Sequence, residues 1–280
     1  MKLTKPRVPG VPYTPFTPLI LPLNDVFQTI QGEGEYTGKS VVMVRLQGCV
    51  VGCPWCDTKE TWDLDTNNEV KTHATWAKER NKVEDDMTYV SDTIQLVCGK
   101  NARWGYVETE LLAQYIKNTW YPDHNDTPYP WVIITGGEPG GCPLPVFIRQ
   151  LRERGMIIGV EVSGFDDTFM KDADGLLVDA EYLPDWITVS PKLNIKNDKV
   201  EVKPLVLQYA NELKFPVGRP RDIERLLEFL EKYKDVIYDS VWIFVQPISL
   251  SPYATEVCIN ACHKYGWRLS LQTQHYIGLP

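Results

Sequence analysis

Cys49-Val50-Val51-Gly52-Cys53-Pro54-Trp55-Cys56 gathers three of the chain's seven cysteines within eight residues, in the spacing C-x3-C-x2-C. No other stretch limits so tightly what the chain can become. The apolar run 41–46 reads as a buried strand, so the cysteines sit in the loop at a strand's carboxyl end. Gly48, Gly52 and Pro54 let the backbone wrap closely around a compact object. An odd cysteine count without a secretory signal is a poor disulfide framework, and clustered thiolates then point to metal. A structural zinc site wants four ligands, usually from two separated pairs. No second C-x2-C pair exists, and nothing near His73 singles it out as a fourth ligand. Three cysteines suit a four-iron cluster better, because one iron is left without a protein ligand and can bind a small chelating molecule. Iron–sulfur is the preferred reading; a zinc loop completed by a distant residue is the alternative.

The 280 residues suffice for one large α/β domain or two small ones, and 43% hydrophobic with 24% charged residues is ordinary for a globular chain. Lys plus Arg is 29 against 37 for Asp plus Glu, a formal net charge of −8, which argues against direct nucleic-acid binding. No apolar run approaches the ~18 residues of a membrane span. Lys2 and Lys5 are followed by prolines where a signal peptide would be apolar. A soluble, cytoplasmic protein with no membrane partner is expected.

Residues 1–23 form a proline-rich extension, with Pro6, Pro9, Pro12, Pro15 and Pro18 at the three-residue period of a polyproline II arm. Residues 24–280 form the second unit, with a polar insertion at 63–106 that has room for one helix. Short apolar runs at 41–46, 131–135, 156–162, 186–190, 212–215, 241–245 and 267–272 read as strands. Helical stripes lie at 108–120 and 221–234. This alternation predicts a mainly parallel sheet with crossover helices, either open or closed into a complete or partial barrel, with chemistry at the carboxyl ends of the strands.

The cysteine loop, with Trp55 before its last cysteine, resembles the signature of the radical S-adenosylmethionine superfamily, and Gly136-Gly137-Glu138-Pro139 at a strand end resembles its glycine motif. The resemblance narrows to the 7-carboxy-7-deazaguanine synthase family over about residues 24–280. Phe27-Gln28-Thr29-Ile30-Gln31-Gly32-Glu33-Gly34, Arg45-Leu46-Gln47-Gly48-Cys49, Trp55-Cys56-Asp57-Thr58, Val189-Ser190-Pro191-Lys192, Phe215-Pro216-Val217-Gly218-Arg219, Gln246-Pro247-Ile248-Ser249 and Leu269-Ser270-Leu271-Gln272 carry it, in order. It implies an α/β fold, a partial (β/α) TIM-like barrel of the radical type, and a lyase that contracts 6-carboxy-5,6,7,8-tetrahydropterin to 7-carboxy-7-deazaguanine and ammonia. The implied cofactors are a [4Fe–4S] cluster on Cys49, Cys53 and Cys56, S-adenosylmethionine, and magnesium at Thr58. The implied partners are the pterin, a flavodoxin- or ferredoxin-like electron donor and a second copy in a homodimer.

By the same resemblance, Ile30, Gln31, Gly32, Glu33, Arg45, Thr135 and Pro280 meet the substrate. Trp55, Cys56, Asp57, Gly137, Ser163, Ser190, Pro191 and Lys192 meet S-adenosylmethionine. The residue chemistry agrees: a guanidinium suits a carboxylate, and a neutral hydroxyl suits magnesium. Each has a plain alternative: Arg45 in a sheet-edge ion pair, Thr58 as a helix cap, Gln31 in a turn. Cys98, Cys142, Cys258 and Cys262 read as core, His124 and His263 as surface. The chain departs from the family at Gly140-Gly141-Cys142-Pro143, at Val162 where a threonine is usual, and at Gln274-His275 where His-Lys is typical. A glycyl-radical activase shares the cluster loop but leaves the Gln31–Gly34 segment unexplained; a zinc-stabilised binding module is the non-enzymatic alternative.

Overall fold

The structure, a computed structural model, describes residues 19–65, 67–70, 94–95, 97, 103–121, 130–193, 195 and 201–279. The strands are β1 (Ile20–Ile30), β2 (Ser40–Leu46), β3 (Gly105–Glu108), β4 (Trp131–Gly136), β5 (Ile157–Val162), β6 (Trp186–Val189), β7 (Glu212–Val217), β8 (Trp242–Pro247) and β9 (Arg268–Leu269). They make one nine-stranded sheet in the order β3-β1-β2-β4-β5-β6-β7-β8-β9. From β2 through β9 every neighbouring pair is parallel, while β1 pairs antiparallel with both β2 and β3. Among the described residues β3 and β9 do not pair, so the sheet is open. The helices are α1 (Thr109–Trp120), α2 (Pro145–Glu153), α3 (Pro204–Gln208), α4 (Pro220–Lys232), α5 (Pro252–Tyr265) and α6 (Thr273–Ile277).

Side-chain parity explains both faces. Alternate residues of a strand point to opposite sides. Val42, Val44, Val132, Ile134, Ile158, Val160, Leu213 and Val245 pack in the main core with Leu112 and Ile116 of α1, Phe147 and Leu151 of α2, and Leu226 of α4. The other parity faces inward. Near the amino ends it is apolar: Val41, Trp131 and Ile133 form a second cluster with Tyr36, Met43, Ile157 and Trp186. One or two steps further along, the same parity turns polar. Arg45 of β2, Thr135 of β4, Glu161 of β5, Lys214 of β7 and Gln246 of β8 all line one cavity at the carboxyl ends.

The β1–β2 connection, residues 31–39, plugs the amino end. The Tyr36 ring lies 4.3 Å from Trp131 and 4.7 Å from Trp186. The Glu35 amide donates to Glu212 at 3.0 Å. Gly34 has φ +67, and a Cβ there would meet the Glu212 carboxylate at 2.3 Å, so the turn needs glycine for both conformation and space.

Most of the anticipated strands and both helical stripes appear within a residue or two of their expected places. β1 was not resolved as a strand from sequence, because Pro22, Asn24 and Asp25 interrupt it. The structure absorbs them with a register shift between Leu23 and Asp25, and buried Asn24 donates to Gln47 at 2.8 Å. β1 starts at Ile20, within the stretch read as the proline-rich arm; residues 1–18 and most of the 63–106 insertion lie outside the described residues. Only Arg268 and Leu269 of the 267–272 run pair as a strand, because Ser270 and Gln272 turn into the cavity region. Among the described residues no helix is long and apolar enough to cross a membrane.

Trp131 is 4% exposed at the centre of the amino-end plug. Trp131→Ala is expected to cost about 3–5 kcal/mol, read as a lower urea midpoint at unchanged slope. A midpoint within error of the parent would contradict the plug as a source of stability.

Candidate active site

A cavity of about 410 Å³ opens at the carboxyl ends of the strands. Its cysteine side is built by two loops that clamp each other. β2 and β4 are parallel neighbours with Leu46 opposite Gly136, so the cysteine loop and the glycine turn leave the sheet side by side. The Gly137 amide donates to Leu46 O at 2.8 Å, and the Glu138 amide to Gly48 O at 2.8 Å. A Cβ on Gly137 would stand 2.3 Å from Gly48 O, so only glycine permits the approach. Behind them Gln47 ties down the outgoing chain, donating to Glu60 O at 2.8 Å and Asp63 O at 2.7 Å.

Cys49, Cys53 and Cys56 are free thiols that all line the cavity. Burial, with the Glu138 carboxylate nearby, pushes the Cys49 thiol up to about 11. Burial also raises Cys53, against the pull of Lys192. A thiol of this kind gives up its proton when metal takes it. Glu138 is 3% exposed, and burial raises its pKa. Its carboxylate accepts from the Gly140 amide at 3.0 Å and the Ser163 amide at 3.1 Å, tying the glycine turn to the end of β5. Lys192 donates to Ser190 Oγ at 2.5 Å, and burial lowers its pKa.

The floor is a charged network. Lys214, 6% exposed, pairs with Glu33 and lies 3.8 Å from Glu161. Burial works against its charge, but Glu161 and Glu33 outweigh it and hold the ammonium protonated well above the usual lysine range. Glu33 mirrors this: burial opposes its charge, while Lys214, Gln272 and Gln274 hold its carboxyl below the usual range. Glu161 in turn accepts from Gln31 Nε2 and from Thr135 Oγ1, each at 3.0 Å. Arg45 has no carboxylate partner among the described residues; its guanidinium lies 5.0 Å from the Phe27 ring centroid.

All the sequence-assigned site residues but two line this one cavity. Pro191 is buried and does not line it; Pro280 lies outside the described residues. Arg45 belongs to an interior strand, so the sheet-edge ion pair is not what it makes. Thr58 precedes a short 3-10 turn, yet its side chain caps nothing; its hydroxyl lies 3.7 Å from Cys56 Sγ. The Gly32 carbonyl is taken by Thr273, through its amide at 3.0 Å and its hydroxyl at 3.1 Å. Cys142 and Cys258 are core, as read, and His263 is exposed; Cys98, His73 and His124 lie outside the described residues. Glu161, Lys214, Gln246, Gln272 and Gln274 also line the cavity and were not singled out as site residues. A signal existed for the first two: Glu161 is the one charge in β5, and Lys214 shares β7 with Glu212, all at the inward parity.

The donor set fits a cluster better than a single ion. Cys49, Cys53 and Cys56 are three soft thiols from one loop that line the same cavity, and among the described residues no three His, Cys, Asp or Glu side chains are grouped to hold a single metal ion.

No protein-family model matches the chain. It is 37% identical over 259 residues, 92% of this chain and 98% of the relative, to the curated 7-carboxy-7-deazaguanine synthase of Escherichia coli (strain K12). It is 34% identical over 257 residues to the enzyme of the same name from Buchnera aphidicola, covering 91% and 97% of the two chains. The chain belongs to the 7-carboxy-7-deazaguanine synthase family. A crystal structure of QueE from Escherichia coli superposes with a TM-score of 0.67 at 35% identity, covering 90% of this chain and 93% of that one. The open sheet is thus the partial barrel that the cysteine loop implied, and membership makes the chain a radical lyase using a [4Fe–4S] cluster and S-adenosylmethionine. The activase and zinc-module readings are not favoured.

Lys214→Met strands Glu33 and Glu161 without their cation, a loss of about 3–5 kcal/mol for a broken buried pair. In the parent, Glu33 has a folded pKa below its ordinary value of 4.5, so it adds stability above that pH and loses it as pH falls through the folded value. Without Lys214, burial is left to raise that pKa, and the charged carboxylate opposes folding at neutral pH. The gap between parent and variant in urea unfolding should be widest near neutrality and narrow as pH falls into the carboxylate range. A gap that does not change with pH would count against the network.

Proposed function

We propose that the chain converts 6-carboxy-5,6,7,8-tetrahydropterin to 7-carboxy-7-deazaguanine with loss of ammonia. The observation that carries this reading is one cavity that joins three cluster-spaced thiols to an arginine with no carboxylate partner among the described residues. Cys49, Cys53 and Cys56 would hold the cluster. When bound, the cluster and S-adenosylmethionine supply a carbon-centred radical able to take a hydrogen atom from the substrate.

The chain's own residues bind and orient. Arg45, with no carboxylate partner among the described residues, offers the substrate carboxylate a bidentate fork. Glu161 fixes Gln31 and Thr135 by accepting their donors, which leaves the Thr135 oxygen free to accept from the substrate. Gln31 Oε1 accepts from the Glu33 amide at 3.2 Å, so the orientation of the side-chain amide is set. Trp55, Asp57, Gly137, Ser163, Ser190 and Lys192 line the part of the cavity beside the thiols and serve S-adenosylmethionine in this reading, with Pro191 shaping the backbone behind them. Thr58, with a hydroxyl that caps no helix, serves magnesium. Ile30, Gly32 and Glu33 shape the pterin end, with Pro280 as a further contact. A flavodoxin- or ferredoxin-like donor, a homodimer and a cytoplasmic setting complete the proposal.

The decisive measurement is the product mass after anaerobic incubation of the reconstituted protein with the carboxylated pterin, S-adenosylmethionine and dithionite. Absence of the deazaguanine would overturn the assignment. Cys49→Ala, Cys53→Ala and Cys56→Ala should each stay folded by circular dichroism and lose turnover altogether; product from any of them would refute its role as a ligand. Arg45→Ala should weaken pterin binding by about 1.5–3 kcal/mol, the range for a hydrogen bond to a charged group, and leave cofactor binding nearly unchanged. Calorimetry returning equal losses for both ligands would refute the assignment.

A further inference from the structure

Gln272 is 6% exposed and stands between β9 and α6, after the sheet has ended. Its single side-chain nitrogen serves two carboxylates. Nε2 donates to Glu33 Oε1 at 3.1 Å and to Asp57 Oδ2 at 2.7 Å. A primary amide has two N–H groups, so both are spent. The orientation is forced, because the flipped amide would turn its oxygen toward two acceptors. The two carboxylates come from different segments of the chain that line the cavity. Glu33 is on the floor, with its other oxygen on Lys214. Asp57 directly follows Cys56 in the cysteine loop, and its residue is exposed.

We infer that Gln272 is a positioning residue that couples occupancy of the pterin end of the cavity to occupancy of the cofactor end. The inference deepens the functional reading above and rests on it. Among the described residues Gln272 is what holds the exposed Asp57 carboxylate, so a ligand that orders the stretch after Cys56 also orders the Gln272 amide. An ordered amide holds the Glu33 carboxylate, and the second ligand then meets a floor already set. The reverse order of binding works through the same atoms. Coupling of this kind is a free energy shared by both ligands and must be reciprocal. Thr273 keeps the bridge in place from behind, through its two bonds to the Gly32 carbonyl.

The test is calorimetry on the oxygen-free holoprotein without reductant, so that nothing turns over. S-adenosylmethionine is titrated with and without saturating 6-carboxy-5,6,7,8-tetrahydropterin, and the pterin with and without S-adenosylmethionine. The wild type should show each ligand tightening the other by the same factor, about fivefold or more. Gln272→Met keeps the length and loses both N–H groups; its factor should fall close to one while both ligands still bind. Asp57→Ala cuts the exposed end of the bridge and leaves the core alone, so it decides the matter should Gln272→Met fail to fold. The double variant should lose no more coupling than either single one. A wild type with independent ligands, or either variant with wild-type coupling, overturns the inference. A wild type that binds S-adenosylmethionine but not the pterin overturns instead the substrate reading beneath it.

Discussion

Two backbone hydrogen bonds, from Gly137 to Leu46 and from Glu138 to Gly48, set the relation on which the site depends. They bring the glycine turn against the chain just before Cys49, so whatever the three thiols hold must lie beside the Gly137 backbone. The bonds form because β2 and β4 are parallel neighbours that end at the same level. They also need a residue without a Cβ where Gly137 meets Gly48. The two motifs are far apart in sequence and have meaning only through that adjacency. Parallel strands place their loops at one end of a sheet, which is why chemistry in this architecture gathers there.

The floor faces a different problem, the cost of charge away from water. Isolated buried ions cost several kcal/mol each, and a pair recovers this only when its geometry and hydrogen bonds are good. Lys214 meets the condition by facing two carboxylates, and each carboxylate is further satisfied: Glu33 by Gln272 and Gln274, Glu161 by Gln31 and Thr135. Hydrophobic residues of the same volume would stabilise the fold at least as well. The cluster is better understood as a rigid polar frame, a pattern found where ionisable groups serve a ligand. Arg45 stands beside this frame with no carboxylate of its own among the described residues.

Much of this was legible in the residues. The apolar runs that became β2, β4, β5 and β6 are short, β-branched and bounded by turn residues, so local pattern and final structure agree. The cysteine spacing gave the cluster loop directly, because ligands from one loop need no tertiary information. Lys214 and Glu161 were harder. A charge in a buried strand reads as an interruption until the strand's neighbours are known, since only the sheet order says that positions 45, 135, 161 and 214 share a face. β1 was hidden for a related reason: Asn24 looks like a turn residue, and its place in a strand depends on Gln47, far along the chain. The bridge made by Gln272 is a purely tertiary fact.

An open barrel also explains why both flanks of the described chain supply the site. Among the described residues the edge strands β3 and β9 do not pair with each other, and on that open side the β1–β2 connection meets β9 and the segment after it. The Gly34 amide donates to Ser270 Oγ at 3.1 Å, Glu35 pairs with Arg268, and the Gly32 carbonyl takes Thr273. Arg268 further stacks on Trp242 at 3.4 Å, which anchors the short last strand. These contacts join the β1–β2 connection to the segment after β9 by side chains and single amides instead of a ladder. A seam of that kind is weaker than a paired strand and more adaptable, because each bond can break without unzipping its neighbours. Gln31 and Glu33, which line the cavity, sit on one lip of the seam, and Gln272 and Gln274 on the other. One of the three departures from the family pattern, Gln274-His275, falls on this seam; the others follow the glycine turn, at Gly140-Gly141-Cys142-Pro143, and end β5, at Val162. Variation at the seam can reshape the part of the cavity lined by Gln31 and Glu33 without touching the two backbone bonds that join the glycine turn to the chain before Cys49.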